Sequence, residues 1–190
     1  MIKYLFFVFL FVNIFKANSQ NIEFYREDLT FKIEKGYFSV DGIYYFCNVS
    51  DKALKTNLFY PFPTDSTYGN IDSVFVLLND SIPIEFYKKE NKGIYFPVKI
   101  SAYGTTKYRI KYRQKITGNK AEYILTSTQT WKKPFEIVNY KLIVPNDIKI
   151  KDISYKADSI NNSAANTIYF WKKKDFMPEK NMIIMFESIR

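Results

Sequence analysis

Apolar and polar side chains alternate along most of the chain, and the pattern is clearest over residues 105–116. A helix would spread such residues around its circumference, whereas a strand separates them onto two faces. One face would carry Thr106, Tyr108, Ile110 and Tyr112, and the opposite face five cations: Lys107, Arg109, Lys111, Arg113 and Lys115. The pattern predicts a half-buried antiparallel strand with a solvated basic face, called the basic strand below.

The same period of two recurs from one end of the chain to the other. It predicts separate strands at residues 22–25 and 29–34, a longer strand over 37–48, and a strand over 121–128. It also predicts an edge strand over 94–100, where Pro97 removes a ladder donor. The polar stretch 158–166 is predicted to be a loop. No segment has the period of a helix, and no repeat occurs.

About eleven or twelve short strands punctuated by turn residues are typical of an all-β domain. Such strands must pack two sheets face to face or close on themselves. We therefore expect an antiparallel, immunoglobulin-like β-sandwich, with a closed β-barrel as the alternative.

The first nineteen residues differ from the rest. Lys3 precedes an apolar run over residues 4–15, and Ala17-Asn18-Ser19 is a small-x-small cleavage motif before Gln20. This is the pattern of a signal peptide, and the run is shorter than the roughly 20 apolar residues that cross a bilayer. The sequence predicts a signal peptide at 1–19, a single domain over 20–190, and export to the periplasm, the cell surface or the medium, with no transmembrane segment after cleavage.

Composition supports a folded domain. Hydrophobic residues make up 47% of the 190 residues and aromatic residues 19%, so the apolar surface suffices for a core without disulfides. Disorder is excluded for the same reason. The lone Cys47 lies in an apolar strand, where we expect it to pack as a small hydrophobic residue.

The charge is moderately basic. The chain carries 28 basic and 19 acidic residues, a net +9. Lys3 and Lys16 fall in the predicted signal peptide, which leaves 26 basic and 19 acidic residues, or +7. This balance favours anionic surfaces. Nucleic acid is not predicted as a partner, because no recognisable binding module is present.

Catalytic chemistry has little support. The chain contains no histidine, which serine triads and most zinc sites use, and no glycine-rich phosphate loop. No cofactor or metal is predicted. A pair of carboxylates could still meet in the fold, and Glu85, Glu122 and Glu136, expected within strands, are the candidates.

Two segments resemble a known type of domain. Residues 40–63 (VDGIYYFCNVSDKALKTNLFYPFP) join a strand ending in Asn-x-Ser to a strand ending in Phe-Pro, and residues 123–145 (YILTSTQTWKKPFEIVNYKLIVP) contain a Trp corner between strands. Together they resemble the vault/inter-alpha-trypsin type of β-sandwich and related exported bacterial domains of unknown function. The resemblance implies a sandwich used for interaction and supplies no catalytic residues.

The leading hypothesis is therefore a non-catalytic, exported β-sandwich that acts as an interaction module at the cell envelope or outside the cell. The alternative is a domain that binds an anionic glycan or similar polymer through the basic strand, residues 107–115, and nearby aromatic residues, of which Trp131 is the candidate. A carboxylate-based hydrolase comes third. The partner would be a protein or a glycan of the envelope.

Overall fold

The computed structural model describes residues 21–34, 36–64, 67–89 and 92–188, and the predicted signal peptide lies outside them. The described residues are nearly all β, with 66% of them in strands and 4% in helix. The described residues form these strands: β1 Ile22–Glu34, β2 Tyr37–Asn48, β3 Leu54–Pro61, β4 Ile71–Leu78, β5 Ile82–Pro83, β6 Tyr87–Lys89, β7 Gly93–Ile100, β8 Thr105–Lys115, β9 Lys120–Tyr123, β10 Phe135–Pro145, β11 Ile148–Ile153, β12 Ser159–Asn162, β13 Asn166–Phe176 and β14 Met182–Ser188. A 3-10 helix, Thr126–Trp131, follows β9.

The strands form one large sheet and two small ones. The large sheet has eight strands in the order β12-β13-β10-β1-β2-β8-β4-β5, and the small sheets have the orders β3-β7-β6 and β11-β14-β9. Tyr44 of β2 hydrogen-bonds both Tyr60 of β3 and Tyr123 of β9. Both small sheets therefore cover the same face of the large sheet, called its inner face below.

The predicted β-sandwich is confirmed, and no sheet among the described residues closes into the barrel that was the alternative. Among the described residues all the strand pairs are antiparallel except one: β1 runs parallel to β10, with Arg26 opposite Ile137. Within the described residues, no helix has the length and apolar character needed to cross a membrane.

The core lies between the two layers. On β8 the inner side chains Tyr108, Ile110 and Tyr112 are buried, while Arg113 and Lys115 are exposed. The predicted alternation of the basic strand is therefore confirmed. The strand is not an edge strand, since β8 pairs with both β2 and β4.

A β-bulge changes the pattern of β1. The register shifts between Phe24 and Arg26, so an extra residue enters the strand there. A bulge re-aims the side chains that follow it. Buried positions change from Phe24 before the bulge to Glu27 and Leu29 after it. The prediction of two separate strands was wrong, because the break in alternation is a bulge within one strand.

Three other local predictions were also wrong. The predicted edge strand, β7, is the middle strand of its sheet. Pro97 is tolerated there because β6 pairs only with Gly93–Tyr95 and ends before it. The polar stretch 158–166 contains β12, which pairs with β13. The strand predicted over 121–128 ends at Tyr123, and the 3-10 helix follows.

Candidate functional site

An aromatic cleft opens where the two small sheets leave the inner face of the large sheet uncovered. Edge strand β3 forms one wall, and the end of β9 with the 3-10 helix forms the other. Its volume is about 550 Å³, within the range of small-molecule sites. The two segments 40–63 and 123–145 supply most of both walls.

Glu27 lies at the floor of this cleft. It is 2% exposed, and the bulge in β1 is what turns it inward. Tyr123 donates a hydrogen bond to its Oε2 at 3.0 Å, and Tyr140 donates to its Oε1 at 2.7 Å. No cation among the described residues forms an ion pair with it. Glu27 is thus a buried carboxylate held by neutral donors alone.

This environment shifts the pKa of Glu27. Burial disfavours the ionised form and raises the pKa from 4.5 to about 7, while the hydrogen bonds from Tyr140 and Tyr123 oppose the rise. Burial also raises the pKa of Tyr44, Tyr60 and Tyr123 well above 10.0. The tyrosines therefore stay neutral and act as hydrogen-bond donors near neutral pH.

The tyrosine hydroxyls form a directed chain. Tyr60 and Tyr44 are joined by a hydroxyl–hydroxyl hydrogen bond of 2.7 Å, and Tyr44 and Tyr123 by one of 3.1 Å. A phenol carries one proton. Because Tyr123 donates to Glu27, it must accept from Tyr44, which in turn accepts from Tyr60. The Tyr60 oxygen, which borders the cleft, keeps its accepting capacity.

Aromatic rings build the sides of the cleft. Trp131, at the end of the 3-10 helix, lies with its ring centroid 5.9 Å from those of Phe24 and Phe46. Phe59 of β3 also lines the cleft and is 42% exposed. Apolar rings around one buried acidic group form a site that can hold an apolar ligand with a polar head.

The cations of the basic strand project from the opposite, outer face of the large sheet. Nearby aspartates pair with them on that face. Asp41 of β2 receives two hydrogen bonds from Arg109, at 2.7 and 2.6 Å, and lies 3.5 Å from the Lys111 ammonium. Partial burial would raise the pKa of Asp41, but the Arg109 guanidinium outweighs it and the pKa is lowered.

Two of the three remaining cations, Arg113 and Lys107, are also paired with aspartates. Asp72 of β4 accepts hydrogen bonds from Arg113, and Lys107 pairs with Asp80. The Arg113 guanidinium also lies 4.2 Å from the centroid of the Tyr37 ring. Lys115 lies exposed at the end of the strand. Most of the positive charge of this face is therefore locally neutralised.

The structure separates Trp131 from the basic strand. Trp131 packs on inner-face rings, whereas the cations project from the outer face. The two parts of the glycan hypothesis do not form one site. Cys47 is half-buried rather than fully buried.

The three predicted carboxylates also lie apart. Glu122 of β9 accepts hydrogen bonds from Tyr68 and Asn181, and Glu136 of β10 is exposed. Glu85 is exposed and lies between β5 and β6 rather than within a strand. None of them lines the cleft. The described residues contain no group of three or more residues suited to hold a metal ion.

Sequence reasoning missed Glu27. The available signal was a change of phase, because Phe24 is at an even position whereas Leu29, Phe31 and Ile33 are at odd ones. A bulge explains such a change, and Glu27 then shares the buried face. The tyrosines that hold Glu27 are 96 and 113 residues away along the chain.

Fold and cleft together define an all-β sandwich with a ligand-sized aromatic cleft. The sequence profile of a family described as a domain of unknown function (DUF4424) matches residues 99–185, which is less than half of the chain. That segment contains Trp131, Tyr123 and Tyr140 but not Glu27. No curated protein matches the sequence.

Solved structures share the fold. One is a protein from Legionella pneumophila provisionally described as nutrient binding, with a TM-score of 0.70 and 14% identity over 87% of this chain and 67% of that one. Another is an M1 zinc metallopeptidase from Deinococcus radiodurans, with a TM-score of 0.54 and 8% identity over 87% of this chain and 42% of that one. None of these matches is to the vault/inter-alpha-trypsin type of domain.

Proposed function

We propose that this protein is an exported, non-catalytic β-sandwich that works as a binding module at the cell envelope or outside the cell, and that its ligand occupies the aromatic cleft. The observation that carries the proposal is the cleft itself, with about 550 Å³ of space above a buried carboxylate that has no counter-ion among the described residues. Convergence of apolar walls and one polar group is typical of ligand sites.

Binding is favoured over hydrolysis by the groups in the cleft. Glu27 is the only carboxylate that lines it among the described residues, whereas a carboxylate-based hydrolase needs two such groups facing each other. The similar fold of the Legionella protein provisionally described as nutrient binding also supports a role in ligand binding.

Export rests on residues 1–19. If they are a signal peptide, the protein recovered from the envelope or medium begins at Gln20. N-terminal sequencing or intact mass of the recovered protein tests this. A chain that retains Met1 and partitions with the cytoplasm would contradict export.

A blocking variant tests the cleft. Thr130 is exposed and lines it, so Thr130→Trp should fill its mouth. Thr56→Trp makes the same change at an exposed position of β3 that does not line the cleft. Thermal denaturation of each variant would be measured with amino acids, sugars, amines and nucleosides.

We expect one class of compound to raise the melting temperature of the unmodified protein and of Thr56→Trp, but not of Thr130→Trp. A ligand at one hundred times its Kd stabilises by about 2.7 kcal/mol, an easily measured shift. Equal stabilisation of all three proteins would place the ligand elsewhere and overturn the proposal.

An anionic polymer on the outer face is the second candidate. The observation that favours it is a hollow of about 650 Å³ beside Arg109, which Lys141 and Lys172 also line. Asp28, Asp41 and Asp158 line the same hollow and oppose an anion. Retention on immobilised anionic polysaccharides at several salt concentrations, compared with a variant in which Arg109, Lys111 and Arg113 are serine, tests it. No retention at low salt would remove this candidate.

A further inference from the structure

Most hydroxyl groups around the cleft can offer a ligand only lone pairs, because their protons are already engaged. The proton of Tyr60 is used by Tyr44, as the direction of the hydroxyl chain requires. On the opposite wall the Thr126 hydroxyl donates to Asn181 at 2.8 Å, and the Thr130 hydroxyl donates to the Ser127 carbonyl at 2.8 Å. Each of these oxygens has its proton engaged and retains lone pairs. The exceptions are Asn57, whose amide both donates and accepts, and Trp131, whose indole N–H only donates.

The charged side chain that lines the cleft is acidic. Glu27 is the only acidic or basic side chain among the described residues that line it. Its two oxygens accept one hydrogen bond each, from Tyr140 and Tyr123, and an ionised carboxylate has about four accepting positions. An anionic ligand would meet an uncompensated negative charge in a site of low dielectric constant.

The walls suit a cation with an apolar body. Trp131, Phe24 and Phe46 form a cluster of rings, and the face of an aromatic ring attracts a positive charge within about 6 Å of its centroid. Above pH 7, where Glu27 is mainly ionised, a neutral ligand would leave the Glu27 charge without a partner, which is costly in a buried site.

We propose that the ligand of the cleft is an organic ammonium ion, a protonated primary or secondary amine whose N–H groups face Glu27 and the Tyr60 oxygen while its apolar body packs against Trp131. This rests on the proposed function, because it names the class of ligand for the same cleft. Charge, donor–acceptor complementarity and aromatic lining all favour this class over anions and neutral compounds.

A matched series of probes tests the inference. The probes are 2-phenylethylamine, 2-phenylethanol, 3-phenylpropanoate and the trimethylammonium analogue of the amine, which share one apolar body. Affinity would be measured by calorimetry with the purified protein at pH 8, where Glu27 is mainly ionised. We expect the amine to bind at least about tenfold more tightly than the alcohol, as charge-assisted hydrogen bonds are stronger than neutral ones. The carboxylate should bind most weakly.

Variants test whether Glu27 causes the preference for the amine over the alcohol. In Glu27→Gln the advantage of the amine over the alcohol should disappear, whereas Glu136→Gln, which removes an exposed carboxylate from β10, should retain it. If Glu27→Gln does not fold, Tyr60→Phe is the second variant. It removes one acceptor from the cleft and should reduce the preference for the amine severalfold.

Equal binding of amine and alcohol, an unchanged preference in Glu27→Gln, or no detectable binding of the amine would overturn the ammonium inference. Tighter binding of the trimethylammonium probe than of the amine would also overturn it, because N–H donation would then be unnecessary. The cleft proposal survives those results as long as some ligand distinguishes Thr130→Trp from Thr56→Trp, so the two failures are distinguishable.

Discussion

The two faces of the eight-stranded sheet differ in how their charged side chains are paired. On the outer face Arg109 and Arg113 each form paired hydrogen bonds with an aspartate of a neighbouring strand. On the inner face Glu27 is buried with tyrosine hydroxyls and no cation. The basic strand is the more conspicuous feature in the sequence, but the buried carboxylate of Glu27, which has no cation partner among the described residues, is the better candidate for a site. A cluster of charges that are paired with each other is weaker evidence for a site than one buried charge without an ionic partner.

The largest expected effect contrasts the packing of the two faces. Phe31→Ala removes a fully buried ring of β1, and we expect it to lower the free energy of unfolding by about 3–5 kcal/mol. Phe75→Ala, on β4, removes a ring that is 59% exposed and should cost less than about 0.5 kcal/mol. Urea denaturation of both variants measures the difference. Similar losses would contradict the assignment of inner and outer faces.

The next effect concerns the pH dependence of stability. The folded protein keeps the Glu27 proton up to a pKa of about 7, whereas the unfolded chain releases it near 4.5. Stability should therefore fall as pH rises from about 4.5 to about 7, by about 3 kcal/mol in total, and then level off. Denaturant unfolding across this range measures the slope.

Glu27→Gln is the control for that slope. The variant has no group to titrate at this position, so its stability should change little between pH 4.5 and 7. The aspartates with lowered pKa, Asp41, Asp72 and Asp158, affect stability only below this window. A wild-type slope that survives in Glu27→Gln would assign it to another group.

Removing one donor to Glu27 should have a smaller effect. Tyr140→Phe leaves the ring in place but removes the hydroxyl that lies 2.7 Å from Oε1. We expect a loss of about 2 kcal/mol at pH 8, where the acceptor is ionised, and a smaller loss at pH 5. Tyr169→Phe on β13 removes a hydroxyl with no hydrogen bond to the described residues and should be nearly neutral. Equal losses at both pH values would contradict donation to an ionised carboxylate.

The smallest effect tests the neutralisation of the basic strand. Asp41→Asn should destabilise by less than about 1 kcal/mol, because pairs at a partly exposed surface contribute little. It should nevertheless strengthen low-salt retention on an anionic polysaccharide, since Arg109 and Lys111 lose their shared carboxylate. Weaker or unchanged retention would show that Asp41 does not limit this face.

Local patterns predicted much of the sheet. The faces of β8 followed from strict alternation, and 37–48 was predicted with the observed bounds of β2. The sandwich followed from the number of strands and the absence of helical periodicity. Turn and edge signals were less reliable. Pro97 predicted an edge strand but lies in the middle strand β7, at a position beyond the end of the short β6, so its missing N–H costs no hydrogen bond to β6.

The candidate site depended on contacts that no local pattern contains. Glu27 receives its hydrogen bonds from strands that the sequence does not place beside β1, and the aspartate that pairs with Arg109 is 68 residues away. A sequence reports that a residue is charged. Whether that charge has a partner depends on which strands become neighbours and on which face the side chain lies. For Glu27 the bulge in β1 determined the face.

The parallel pairing of β1 with β10 also sets an order of events in folding. Strand β1 can pair with β2 soon after both are made, but Asp28 must wait for Asn139, 111 residues further on, before its other side is covered. Contacts between such distant segments form slowly, and an uncovered strand edge can pair with other chains in the meantime. Because Tyr140 belongs to that late strand, the floor of the cleft is completed only after β10 has been synthesised. A nascent or truncated chain that lacks β10 would hold Glu27 in an unfinished sheet, where aggregation competes with folding.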